Sequence, residues 1–369
     1  MTKHSSDHVL LLTVLGLTLF GVIMVASASS VIAERFRESP YFFAQHQVLY
    51  GGTVGLALFL IGYFVPYGVW RKAALPSLVI SLVLLVLVFV PGLQVSYGGA
   101  SRWIGFGPIT LQPTEITKLA IIIYLAALLE KKGEEVQSWR KSVLPFLVIT
   151  GLLSGLIILQ PDIGTLFSIT AIAWSMVFAA GFRLHHLGIV LLIGGSLFAV
   201  LVNTARYRLE RLMVYLHPEL DPQGIGYQIN QALLAVGTGS WWGLGLGRSR
   251  QKYYYLPEPA GDSIFAVIAE ELGFVRTIMV VLAFGVIAWR GFAIARQAPD
   301  TFSRLLACGI TSWIVVQAFI NMGAIMALLP LTGIPLPFIS YGGSALATIL
   351  LAAGILLNIS RYTVLQYKT

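Results

Sequence analysis

Four ionisable residues stand in a chain that is otherwise too apolar to carry charge without a reason. Glu115 and Lys118 are three residues apart in PTEITKLA, a spacing that stacks them on one helical face within pairing reach. Asp162 follows Gln160-Pro161, and Asp262 ends the run LPEPAGD; each immediately precedes a long apolar stretch. Carboxylates and an ammonium that share a water-accessible cavity tune one another's pKa, which is the setting that proton transfer requires. Each residue also has a plainer account. The Glu–Lys pair serves equally as an ion pair that locks helices together, and an aspartate ahead of an apolar run commonly caps the helix that follows. The choice turns on whether the four residues meet, and so on the elements that hold them.

Of the 369 residues, 57% are hydrophobic and only 11% charged, and the mean hydropathy is +0.83. Soluble domains carry roughly 25% charged residues, so the composition predicts an all-α, polytopic membrane protein. Ten apolar runs are separated by turns or charges: 9–29, 47–65, 75–90, 114–129, 143–159, 163–180, 187–202, 264–289, 302–329 and 340–359. Each approaches the roughly 20 residues that span a bilayer. The first exceeds the roughly 7–15 apolar residues of a signal peptide and is read as a retained helix. About ten transmembrane helices follow, with residues 1–369 as one membrane domain and 203–261 as a long loop between the seventh and eighth.

Ten spans place both termini on one side. Arg71, Lys72, Lys131, Lys132, Arg140, Lys141, Arg183, Arg290 and Arg361 fall in short loops on that side. The opposite short loops hold only Arg35, Arg37 and Arg102. Basic residues favour cytoplasmic loops, and long loops cross largely regardless of charge. Both termini are therefore expected in the cytoplasm and the 203–261 loop outside. Glu115, Lys118, Asp162 and Asp262 then all fall at the outer leaflet, which favours a shared site.

Other features are weaker. Glu270 and Glu271 lie two turns into the eighth run, deeper in the membrane, and are read as structural; Arg276 is not at helical pairing distance from them. The lone Cys308 allows no intramolecular disulfide. His185-His186 has no companion ligands, so no metal cage is expected, and the net charge of +8 does not require nucleic acid. The outer loop holds Trp241, Trp242, Tyr253, Tyr254 and Tyr255 among glycines, and its 227–236 segment suits an amphipathic helix on the bilayer surface. Arg102, Arg206, Arg208, Arg211, Arg248 and Arg250 make the outer face cationic. Such residues attract anionic headgroups at about 1 kcal/mol each, or grip a pyrophosphate with the planar guanidinium fork.

Five stretches, in this order and at these places in the layout, resemble the shape, elongation, division and sporulation (SEDS) family of FtsW, RodA and SpoVE. They are GGASRWIGFGPITLQPTEITKLA, QPDIGT, YQINQALLAVGTGSWWGLGLG, LPEPAGDSIFAVIAEELGF and LPLTGIPLPFISYGGSALA. SASS after the first helix, FFAQHQ before the second and the late NISR look more like FtsW than RodA. The resemblance spans essentially the whole chain. It implies a peptidoglycan glycosyltransferase that polymerises lipid II, a disaccharide-peptide on undecaprenyl pyrophosphate, at the outer face of the bacterial cytoplasmic membrane. The family's essential carboxylate matches Asp262, read as the general base, with Glu115, Lys118 and Asp162 supporting it. On that reading Arg102, Arg206, Arg208 and Arg248 bind substrate, and any divalent cation, such as Mg or Mn, is bridged by pyrophosphate and a carboxylate. The implied partners are lipid II, the undecaprenyl-pyrophosphate-linked glycan, a class B penicillin-binding protein and divisome or elongasome proteins. Two positions depart from the family pattern: Gly261 stands where Thr or Ser is usual, and Arg276 where a small residue is usual. Two rival readings fit the same helices. A lipid II flippase would carry polar groups through the full membrane thickness, and a scaffold recruiting a transpeptidase would leave Asp262 dispensable.

Overall fold

The computed structural model describes residues 4–35, 38–97, 100–107, 109–204, 213–217 and 224–363. Ten helices answer the ten apolar runs: His8–Arg35, Phe42–Phe64, Ala74–Leu87, Pro113–Lys132, Trp139–Leu159, Ile163–Ala179, Leu184–Thr204, Ile264–Arg296, Thr301–Ile325 and Gly343–Ser360. Six are long and apolar enough to cross a membrane, and Ala74–Leu87 and Ile163–Ala179 are shorter apolar helices. Lipid offers no hydrogen bonds, so a crossing segment must close its own backbone ladder, and a helix does this within one segment. The protein is a multi-pass membrane protein.

The bundle has a core and a rim. Pro113–Lys132, Thr301–Ile325 and Gly343–Ser360 are largely buried, whereas His8–Arg35, Phe42–Phe64 and Trp139–Leu159 expose Leu12, Leu19, Leu56, Leu60, Val148 and Leu152. Such apolar exposure suits lipid contact. Small residues let core and rim backbones touch: a Cβ on Gly354 would stand 2.3 Å from the Phe59 carbonyl. At one end the two chain ends meet, with the His4 amide donating to the Arg361 carbonyl at 3.1 Å. Arg290 pairs with Asp7 there at 2.6 Å, and Arg71 bridges Glu130 at 2.9 Å and Asp300 at 3.4 Å.

Three departures from the expected layout lie at the other end. The Gly-rich connection before Pro113 folds as a three-stranded antiparallel sheet, β1 (Gln94–Tyr97), β2 (Ala100–Phe106) and β3 (Ile109–Leu111), in the order β1-β2-β3. The ninth helix ends at Ile325 and the tenth starts at Gly343. Between them LPLTGIPLPFISYG runs as a non-helical strap whose Ile334, Leu336, Phe338 and Ile339 are buried. Pro335 and Pro337 deny it helical hydrogen bonds, and side chains from neighbouring elements satisfy its backbone instead.

The third departure is in the eighth helix. Its 33 residues measure about 50 Å, well beyond a hydrocarbon core of about 30 Å. Gly273 breaks it, with φ 75° and ψ 174°, a conformation open to glycine. The stretch from Phe274 to Arg296, about 23 residues or ~35 Å, suffices to span alone. Glu270 and Glu271 therefore lie just before the break, at the end of the stub that precedes the longer straight stretch. The Ile225–Gly239 helix docks on this stub, burying Ile229, Ala232 and Ala235. One face of the expected amphipathic helix is thus covered by protein. The chain after it lies against the break, with Phe274 donating to the Ser240 carbonyl at 2.8 Å and Leu244 to the Glu270 carbonyl at 3.0 Å.

Candidate functional site

Asp262 does not cap the helix it precedes. Ser263 takes the N-cap position, and no side chain closes the cap. The Asp262 carboxylate accepts from the Ser263 hydroxyl at 3.5 Å, and Gln228 on the docked helix, close enough to favour the ionised form, donates to the Ser263 hydroxyl at 3.1 Å. Its Oδ2 faces Gly333 of the strap, 3.8 Å from where a Cβ would stand, and Gly333 has φ +69°. A glycine here provides the left-handed turn and keeps the space before the carboxylate open.

Asp262 is half-buried. Burial, and then the charge of Glu258, push its pKa from 3.8 up to about 6, against the opposing hydrogen bonds of Gln228 and Ser263. Such a carboxylate is mostly ionised at neutral pH yet basic enough to take a proton in a reaction. The departure at Gly261 bears on the same pair: a Cβ there would come within 3.3 Å of Glu258 Oε2. Glycine avoids that close approach to Glu258.

Glu115 and Lys118 form the expected pair, Nζ to Oε1 at 2.8 Å, and both are almost fully buried. Neither has a hydrogen bond to Asp262. Lys118 instead donates to Gln317 Oε1 at 2.6 Å, which also accepts from Trp313 Nε1 at 2.8 Å. Gln317 Nε2 donates to the Pro335 carbonyl at 2.9 Å. One turn on, Asn321 Nδ2 donates to the carbonyls of Ile334 at 2.8 Å and Asp262 at 2.7 Å. The ion pair thus reaches Asp262 through the Thr301–Ile325 helix and the strap. Gln317 and Asn321 were overlooked in the sequence, although a Gln and an Asn four residues apart in an apolar run are themselves a signal.

Asp162 does cap its helix. Its Oδ1 accepts from the Thr165 amide at 3.1 Å and its Oδ2 from the Thr165 hydroxyl at 2.8 Å. The helix start it fixes packs on the strap, where a Cβ on Gly164 would stand 2.6 Å from the Thr332 carbonyl. Arg102 on β2 donates to the carbonyls of Gln160 and Pro161 and so ties the sheet to this hairpin. Arg248 is exposed on the loop at the Gly273 break. Arg206 and Arg208 lie outside the described residues. Among the described residues no three His, Cys, Asp or Glu side chains gather as a metal cage. Asp262 and Glu258 are nevertheless the oxygen donors that Mg or Mn takes when substrate phosphates complete its shell.

Glu270 and Glu271 anchor the neighbouring loop. Glu271 accepts from the amides of Gly247 at 2.9 Å and Ser249 at 3.2 Å, from Ser27 at 2.7 Å and from Lys252 at 3.0 Å. Glu270 accepts from the Arg250 amide at 2.9 Å and from the Ser249 hydroxyl. The two carboxylates wind the 240–262 loop onto the broken helix and, through Ser27, onto the first helix. Arg276 is exposed and donates to the Trp242 carbonyl at 3.2 Å, so the larger side chain crowds no neighbouring helix.

Fold and site together define a polytopic membrane protein with an ionisable site at the end of the bundle opposite its two termini. The chain belongs to the FtsW, RodA and SpoVE family of cell cycle proteins, whose model matches residues 7–365. It is 45% identical over 361 residues to stage V sporulation protein E of Bacillus subtilis (strain 168), covering 98% of each chain. A probable peptidoglycan glycosyltransferase FtsW of Trichlorobacter lovleyi is 43% identical, over 96% of this chain and 93% of that one. Among solved structures, a chain of a peptidoglycan synthase complex that coordinates polymerization and crosslinking superposes with a TM-score of 0.78 at 28% identity, over 96% of this chain and 98% of its own. The rod shape determining protein RodA of Thermus thermophilus superposes with a TM-score of 0.70 at 27% identity, over 97% and 98%.

Proposed function

We propose that this chain is a peptidoglycan glycosyltransferase that polymerises lipid II at the outer face of a bacterial cytoplasmic membrane, with Asp262 as general base. The observation that carries the base assignment is an aspartate that caps nothing, faces an open glycine turn and is tuned toward neutral pH. Asp262 takes the proton from the 4-hydroxyl of the N-acetylglucosamine in incoming lipid II as that oxygen attacks the anomeric carbon of the lipid-linked strand. The bond from that carbon to pyrophosphate breaks, undecaprenyl pyrophosphate leaves, and Asp262 returns its proton to water. Pyrophosphate leaves readily, so the second carboxylic acid of a glycosidase is not needed. Arg248, with Arg206 and Arg208, offsets the charge on the leaving group, and Arg102 acts by holding the hairpin of Asp162. A divalent cation, where one is used, would be held by Glu258, leaving Asp262 free as the base, and would neutralise the pyrophosphate.

The flippase reading needs polar groups along the full thickness of the bundle. Among the described residues the charged residues buried as a whole are Glu115, Lys118, Asp162, Lys252, Glu270 and Glu271, toward the Asp262 end. The buried Asp7 carboxylate at the opposite end is paired with Arg290, so buried charge gathers at the two ends of the bundle, which favours chemistry over passage. A transpeptidase partner of the class B penicillin-binding type is supported by the related chain solved within a synthase complex. Purified protein, with and without such a partner, is given fluorescent lipid II and the products are run on a gel. A ladder of glycan strands is expected, and its absence in both arms would leave the scaffold reading. The proposed sidedness, with both termini cytoplasmic, is tested by a cysteine at Ser240: reaction only after permeabilisation would reverse it.

A further inference from the structure

Three successive backbone carbonyls lead into the Asp262 side chain, and each accepts a hydrogen bond from a different donor. Ala260 accepts from the Tyr341 amide at 2.8 Å, Gly261 from the Ser340 hydroxyl at 2.7 Å and Asp262 from Asn321 Nδ2 at 2.7 Å. The first two donors belong to the far end of the strap. Asn321 is different, because the same amide nitrogen also holds Ile334 at 2.8 Å. Ile334 is next to Gly333, the residue that faces the Asp262 carboxylate. One buried side chain therefore joins the backbone that carries the carboxylate to the turn in front of it. Asn321 is 2% exposed, and its fork is supported one turn earlier by Gln317, which holds Pro335 and is itself held by Lys118 and Trp313.

We propose that Asn321 is a positioning residue for the reaction: it fixes the gap between Asp262 and the Gly333 turn in which the attacking hydroxyl must lie. The inference rests on the reading of Asp262 as the base. Both carbonyls lie on non-helical backbone, next to turns rather than in a regular ladder, so the amide sets their separation. A displacement of about 1 Å between reacting groups costs on the order of 10²-fold in rate. The Asn321 amide gives its hydrogens to two backbone carbonyls, so its loss is expected in kcat, with KM for lipid II nearly unchanged. This also assigns the Glu115–Lys118 pair a role at second hand, as the support of Gln317.

The test uses full-length protein in nanodiscs and initial rates of polymerisation from lipid II. Asn321→Ala is expected to lower kcat on the order of 10²-fold while leaving KM within about twofold. Asp262→Glu shifts the carboxylate by one methylene and keeps a base; on that background Asn321→Ala is expected to cost much less than on the parent, because placement is already lost. A rise in KM with kcat preserved, or an equal loss on both backgrounds, would overturn the positioning role and leave the base assignment standing. Near-normal synthesis by Asp262→Asn would remove the base assignment and this inference with it. If Asn321→Ala does not accumulate, Asn321→Ser, too short to reach both carbonyls, is taken through the same cycle. Failure of both variants to fold would make Asn321 a folding residue and end the proposal.

Discussion

Asp262→Asn should cost this protein its activity and gain it stability, and the two effects have separate origins. Asparagine keeps the shape and can still accept from Gln228 and Ser263, but it takes no proton near neutral pH. A positioned base contributes roughly 10²–10⁴-fold, and a loss of that size is expected in glycan synthesis from lipid II. The stability term follows from linkage. The native pKa of Asp262 is about 6 against an ordinary 3.8, so the folded state holds the proton more tightly than the unfolded one. Well below pH 3.8 both states are protonated and the group contributes nothing. Above pH 6 the fold carries an ionised carboxylate against its preference. At about 1.4 kcal/mol per pKa unit this costs at most about 3 kcal/mol, reduced by water on the residue's open side. The Asn variant should therefore melt above the parent at pH 7.5, with the difference closing as pH falls through 6 toward 4. Thermal melts in one detergent at pH 7.5 and 4.5, beside a product gel at pH 7.5, read both effects. Near-normal polymerisation would refute the base assignment, and a lower melting temperature at pH 7.5 would refute the argument from burial.

Glu258→Gln removes the neighbouring charge that helps raise the Asp262 pKa, while burial, the larger cause, remains. The acid midpoint of kcat/KM should move below 6 but stay above 3.8, and an unmoved midpoint would deny that Glu258 acts on Asp262. Lys118→Met leaves Glu115 buried and unpaired, a loss of roughly 3–5 kcal/mol, so the Glu115→Gln/Lys118→Met double variant should melt above the single one. Strictly additive losses would contradict a direct pair. Reversing both charges should recover little, because a carboxylate at position 118 would face Gln317 Oε1, which already accepts from Trp313.

The helices were legible because lipid imposes one demand on every crossing segment, apolar side chains on a self-satisfied backbone. The strap was legible only as the gap between the runs ending at 329 and starting at 340, and not by its contacts. LPLTGIPLPF is as apolar as a helix, and nothing local shows that its carbonyls are met by Gln317 and Asn321 from another element. Asp162 and Asp262 carry nearly the same local signature, an aspartate before an apolar run, yet one caps and the other does not. The difference lies in Ser263, which takes the cap position, and in Gln228, which is more than thirty residues away in sequence. The three-residue spacing of Glu115 and Lys118 did show a pair, but not that its outlet is Gln317. Glu270 and Glu271 were visible as costly carboxylates, whereas their partners are backbone amides of a Gly-rich loop, which no side-chain pattern encodes. Gly98-Gly99 and Gly107-Pro108 are turn signals of the kind that separate short strands.

The break at Gly273 fixes the height at which the reaction would take place. Nine residues of helix separate it from Asp262, a rise of about 13 Å, comparable with a headgroup layer. On the proposed reading, a carboxylate at that level would meet the sugar and pyrophosphate of a lipid-linked substrate while the polyprenyl tail stayed dissolved in the leaflet. Both reactants can then arrive by sliding in the plane of the bilayer. Their encounter is a two-dimensional search, and neither hydrophobic tail has to be lifted into water for the strand to grow.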